Sequence, residues 1–198
     1  MFFQAAKLNN VLPVFSAVLL SLFLLSCTIH EQKTAEDKKK VDINTPFGGI
    51  HVNTDAKGED TGLTVYPGAQ TDKNPDSDRF NGNKNANVNV QVGDFGVRVI
   101  ASNYVSDDPP EKIINFYRED LKKYGAVLEC SKGLKETHNS NGPREMACND
   151  SGISEKGKMD LAVGVPDRQR VVSIKPHGNG TEFALVYIQM RGGKGDTI

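Results

Sequence analysis

Short alternations of apolar and polar residues dominate the chain, and one stretch breaks to helical spacing. Val41 and Ile43, then Ile50 and Val52, alternate around Thr45-Pro46-Phe47-Gly48-Gly49, which predicts two brief strands joined by a turn. The phrase recurs as Val88, Val90 and Val92, then Gly93-Asp94-Phe95-Gly96, then Val97 and Val99, so Asn87 to Val105 is expected to be a hairpin. Two copies fall short of the three or so repeats that a solenoid requires, and the recurrence reads as repeated hairpin chemistry. Leu63 to Ala69, LTVYPGA, reads as an edge strand closed by a Pro-Gly turn, because Pro67 cannot donate to a central ladder. Thr71 to Asn87 is dense in Asp, Asn, Lys, Gly and Ser, with Phe80 as its one large apolar residue, and reads as a loop.

The helical stretch opens at Asp107-Asp108-Pro109-Pro110. Asp108 is a good N-cap, the prolines suit a first turn, and Glu111 stands three residues on, as in a capping box. Ile113, Ile114, Tyr117, Leu121 and Tyr124 then make one apolar stripe, with Arg118, Glu119, Lys122 and Lys123 facing water and Gly125 ending the helix. Further strands are expected over 126–131, 144–149, 158–165, 170–175 and 182–190, with Gly178-Asn179-Gly180 turning the last pair. A sheet and a helix each need a partner for their apolar face. The expected class is therefore α+β, an antiparallel meander packed by one amphipathic helix, in a single domain over 61–191 with a short hairpin segment over 41–60 before it.

Composition changes the picture at the amino terminus. The chain has 198 residues and 37% apolar content, yet its apolar residues crowd the first 26 positions. Lys7 precedes an apolar run from Val11 to Leu25, the order of a secretory signal. Those 15 residues as a helix cover about 22 Å, short of the roughly 30 Å hydrocarbon core, and Pro13 further weakens a spanning helix. Residues 28–40, TIHEQKTAEDKKK, carry one Ile and many charges and read as a flexible tether. Residues 192–198 lack apolar content until Ile198 and read as a disordered tail. A net charge of −1 and the lack of a basic block exclude a nucleic-acid binder whose affinity comes from neutralising phosphates.

Leu24-Leu25-Ser26-Cys27 closes the apolar run, and at this point the chain resembles a bacterial lipoprotein precursor with its lipobox. The resemblance implies removal of the signal peptide 1–26, diacylglycerol on the Cys27 sulfur and acylation of the new amino group. The residue is then a membrane-lipid anchor, with each buried CH₂ contributing about 0.8 kcal/mol. Thr28 stands where lipoproteins kept at the inner membrane of a Gram-negative cell commonly carry Asp, so the same resemblance implies an outer-membrane protein facing the periplasm. The phrases VYPGA over 65–69 and PEKIINFYREDL over 110–121 resemble uncharacterised envelope lipoproteins sharing YPGA and PEKxxxFYxxxL patterns. That resemblance implies a fold and no reaction.

Export places the two remaining cysteines in an oxidising compartment. If 126–131 and 144–149 form a hairpin turning near His138 to Ser140, Cys130 and Cys148 lie opposite one another, and a bridge is expected. Closing that loop is worth about 3 kcal/mol in the chain-entropy account.

Candidate chemistry is sparse. Gly152 to Lys158 fits the GxxxxGK spacing of a phosphate loop, but Met159 stands where Ser or Thr should hold Mg²⁺, and strand-like sequence follows. Asp72, Asn74, Asp76 and Asp78 alternate as in a calcium loop, yet Pro75 interrupts it and Asn83 replaces the bidentate Glu. His30, His51, His138 and His177 make no HxxH or HxxxH pair, and no GxSxG elbow occurs. No cofactor, metal ligand or catalytic residue is therefore expected. The reading is a lipid-anchored, non-catalytic envelope module that binds a protein, glycan or small ligand or serves structure. The alternative is an envelope hydrolase whose site assembles from scattered residues.

Overall fold

A computed structural model of the chain describes residues 28–33, 39–72, 85–138, 142–152, 154 and 156–192. The expected signal peptide, Cys27, most of the 71–87 loop and the tail beyond Gly192 lie outside the described residues. The strands in chain order are β1 (Thr28–Lys33), β2 (Lys39–Thr45), β3 (Gly48–Asn53), β4 (Gln70–Thr71), β5 (Ala86–Val92) and β6 (Phe95–Ser106), followed by helix α1 (Pro110–Leu121). After the helix come β7 (Leu128–Cys130), β8 (Leu134–His138), β9 (Arg144–Cys148), β10 (Met159–Val165), β11 (Arg168–His177) and β12 (Gly180–Arg191). The class is α+β.

Ten strands form one antiparallel sheet in the order β1-β2-β3-β5-β6-β12-β11-β10-β7. β4 pairs with the far end of β6, beyond the reach of β5, and β8 and β9 form a separate hairpin. The three alternating hairpins read from the sequence are present: β2–β3 turns at Pro46-Phe47, β5–β6 at Gly93-Asp94, and β11–β12 at Gly178-Asn179. The first two are also neighbours. β3 pairs with β5, and a Cβ placed on Gly48 would fall 2.0 Å from the Gln91 carbonyl oxygen, so only glycine permits this approach.

Four strands carry the core. Tyr104 of β6, Phe183 and Leu185 of β12, Val172 and Ile174 of β11, and Leu161 and Val163 of β10 are buried on one face. Ile113, Tyr117 and Leu121 of α1 close over them, which is three members of the expected stripe. Tyr124 lies beyond the helix, in a 3₁₀ turn over Lys122–Tyr124 that stops at Gly125, φ 135°. The rings interlock: Tyr104 stacks on Phe183 at 5.6 Å, and Tyr117 meets Phe183 at 5.5 Å.

Several elements differ from the sequence reading. LTVYPGA is not an edge strand: residues 63–66 form no ladder, and the pairing falls to β4 just after them. The segment crosses the core face instead, with Leu63 buried, and side chains take up its backbone. The Thr64 N–H donates to Asp120 at 2.9 Å and the Tyr66 N–H to the Tyr117 hydroxyl at 3.1 Å. Asp108 does not cap α1, whose N-cap is Pro109; its carboxylate accepts from Lys112 Nζ at 2.6 Å and the Tyr66 hydroxyl at 2.8 Å. Residues 126–131 and 144–149 are not hairpin partners either. β7 pairs with β10, while β9 pairs with β8, whose polar sequence LKETH gives no strand alternation of apolar residues. Of the segment read as a tether, Thr28–Lys33 and Lys39–Lys40 run in β1 and β2, where Ile29 pairs with Ile43. Backbone pairing to a neighbouring hairpin orders a segment that has too few apolar residues to signal it.

Candidate interaction surface

The register brings the alternating valines and isoleucines of six strands onto the face opposite the core. Ile29, Ile43, Ile50, Val90, Val97 and Met190 stand side by side in one row. Val41, Val52, Val88, Val99 and Ile188 form the next, and Ala101, Val186 and Val171 a third. None of these side chains is buried. β9 reaches this face only at its β7–β10 edge, through the Cys130–Cys148 pair and an ion pair between Arg144 and Asp167. Ile29 and Ile50 are exposed and the others half-buried, and a contiguous apolar face of this kind marks an interaction site more often than ordinary surface does.

On the other face, the same outer strands are polar. His30, Asp42, His51, Asn89 and Arg98 follow one another across β1, β2, β3, β5 and β6. His51 Nδ1 lies 2.8 Å from Asp42 Oδ1 and Lys40 Nζ 3.1 Å from Oδ2, and these two hydrogen-bonding partners hold the Asp42 carboxyl below its ordinary value. The outer half of the sheet is therefore amphipathic, whereas the inner half is apolar under α1 and mixed on its other face, where Gln169, Ser173, Lys175 and Glu182 stand among Val171, Val186 and Ile188.

Exposure concentrates further at one corner. Phe47 is 75% exposed, Ile29 66%, Val92 57%, Phe95 44% and Ile50 39%. Phe47 lies in the β2–β3 turn and Phe95 opens β6 directly after the β5–β6 turn, and the Gly93 N–H donates to the Phe47 carbonyl at 3.0 Å, tying the two tips together. β1 begins at the same end, because Thr28 pairs with Asn44 just before the Pro46-Phe47 turn.

Two clefts lie beside the β11–β12 turn. One of about 350 Å³ is lined by Gln70, Asp72, Asp107 and His177, and a neighbour of about 330 Å³ by Glu111, Ile114, Lys158 and Met159; both share Asn179 and Gly180. The first gathers two carboxylates and an imidazole from β11, from the loop after β4 and from the loop before α1. Near α1, Lys112 first and then Tyr66 hold Asp108 below its ordinary value, and the Asp108 hydrogen bond raises Tyr66. Burial pushes the Tyr117 and Tyr104 phenols up, so both stay neutral and serve as hydrogen-bonding members of the core.

The residues singled out by sequence fall as follows. Cys27 lies outside the described residues, and Cys130 and Cys148 form a disulfide-capable pair with Cα atoms 5.1 Å apart. His30 and His51 flank Asp42, His177 stands 3.7 Å from Glu182, and His138 ends β8. Among the described residues no group of three His, Cys, Asp or Glu side chains could hold a metal ion. The GxxxxGK stretch leads directly into β10, with residues 153 and 155 outside the described set. Of the calcium-like run only Asp72 is described. The apolar rows were not foreseen as one surface, although the strands that build them were, β1 excepted.

No protein-family model matches the chain, and neither curated proteins nor solved structures give a significant match. Among the described residues no helix is long and apolar enough to cross a membrane.

Proposed function

We propose that the chain is a lipid-anchored cell-envelope protein, acylated at Cys27, that serves as a non-catalytic binding or structural module. The anchor reading is supported by the apolar run from Val11 to Leu25 and the Leu24-Leu25-Ser26-Cys27 sequence that ends it. Thr28 favours the outer membrane, with the folded part in the periplasm. The observation that carries the binding role is the apolar face left open across six strands, a surface suited to contact rather than to bond cleavage. A periplasmic location also suits a bridge between Cys130 and Cys148.

Radiolabelled palmitate tests the anchor. Label should enter the protein in its parent cell and be lost in the Cys27→Ser variant. Absence of label from the unaltered protein, or its retention after the substitution, overturns the reading.

A further inference from the structure

We infer that the corner formed by the β2–β3 and β5–β6 turns beds into the bilayer surface to which Cys27 is attached, so that the sheet stands on the membrane rather than hanging from it on a leash. The inference rests on the acylation of Cys27 proposed above.

The first argument is chain length. Thr28, the residue that follows Cys27 in the sequence, is already paired with Asn44 in the sheet. Acyl chains on Cys27 hold that end of β1 at the headgroups, because no linker separates them. The second argument is what else lies at that end. Phe95 is in β6, four strand spacings or about 19 Å from β1, and Phe47 lies between them. Both tips stand at the end of the sheet where β1 begins, and both carry an exposed aromatic ring. Val92, Ile50 and Ile29 extend the apolar surface from the tips onto the open sheet face.

The chemistry fits an apolar lipid surface rather than an anionic one. The charges at the tips are Asp94 and, beside Phe95, the single Arg191 that pairs with Gly96, which offset one another, so no net cationic patch draws the tips to anionic headgroups. Burial of the rings and branched side chains among headgroups and upper acyl chains, to a depth of about 5–10 Å, supplies the affinity. The tips then fix the tilt of the sheet, and the polar row containing Asp42 and His51 faces water.

The protein has no Trp, so an introduced indole reports alone. Phe47→Trp and Phe95→Trp, each in the full chain as its cell processes it, are reconstituted into vesicles of phosphatidylcholine brominated on its acyl chains, with Asn179→Trp as the control. The two tip variants should lose about half of their emission or more to bromine at the expected depth, while the control, in the β11–β12 turn at the other end of the strands, keeps its own. Each substitution is at an exposed position, and two tips guard against one failing to fold. Palmitate incorporation is measured on the same samples. Acylated protein whose tip indoles are unquenched overturns the inference and leaves the anchor standing; unacylated protein overturns the anchor first. Tip indoles that shift to the blue without lipid, in a chain that cross-links to a dimer, assign the corner to a second copy and also overturn it.

Discussion

Phe183 sits where the sheet, the helix and the crossing segment meet. Its ring stacks on Tyr104 and lies within 6.5 Å of the Tyr66 ring and 5.5 Å of Tyr117, with essentially no exposure. Phe183→Ala should therefore cost about 3–5 kcal/mol, read as a lower urea midpoint with an unchanged slope. Asp120 does a different task. It accepts from the Thr64 N–H and hydroxyl, both at 2.9 Å, and from Lys123 Nζ at 2.8 Å, fastening the crossing segment to α1. Burial alone would raise its carboxyl, but Lys123 and the two Thr64 donors outweigh it and hold the value below 3.8. Because the folded value is depressed, the stabilisation is complete above the unfolded value and is lost as pH falls through the folded one. Asp120→Ala should lose about 1–3 kcal/mol at neutral pH, and the deficit against the unaltered protein should shrink toward pH 2. An equal deficit at both pH values would mean that the loss is one of packing.

The β8–β9 hairpin is the element with least support of its own. It carries few apolar residues and lies apart from the main sheet, joined to it by the Cys130–Cys148 pair and the Arg144–Asp167 ion pair. With the bridge formed, Cys148→Ser should lower stability by about 3 kcal/mol in the chain-entropy account, for a separation of 18 residues. Amides of β8 and β9 should lose hydrogen-exchange protection before those of β11. Elements were legible wherever the burial alternation was strong, as in Val88-Val90-Val92, Met159 to Val165, and the stripe of α1. They were not legible where backbone pairing alone makes the strand. β1 and β8 present few apolar residues to any core, so period-two alternation has nothing to mark. LTVYPGA misled for the opposite reason: Leu63 and Val65 alternate and pack, but on a crossing segment whose N–H groups go to Asp120 and Tyr117.

At the scale of the whole molecule, the deciding quantity is area. Nine strands side by side at about 4.8 Å spacing extend about 38 Å, while one helix about 10 Å wide covers two or three of them. The mismatch between one helix and many strands was readable in the sequence; which face stayed open was not, since that depends on the register between hairpins far apart in the chain. The result is a sheet of unequal halves. β6, β10, β11, β12 and α1 hold most of the fully buried side chains, whereas among the described residues none of 40–45 in β2, of β3 or of β5 is buried. The outer strands consequently depend on ladder hydrogen bonds and on β6, which they share with the core. Away from any membrane they should open as a unit while the core stays folded, so native-state hydrogen exchange should give β2, β3 and β5 lower opening free energies than β11 and β12. Equal protection in both halves would contradict this, and would mean that the open apolar face is already covered in solution. Adding phosphatidylcholine vesicles to the acylated protein should raise protection in β2, β3 and β5 selectively, because the turns that limit their opening are the ones the bilayer holds.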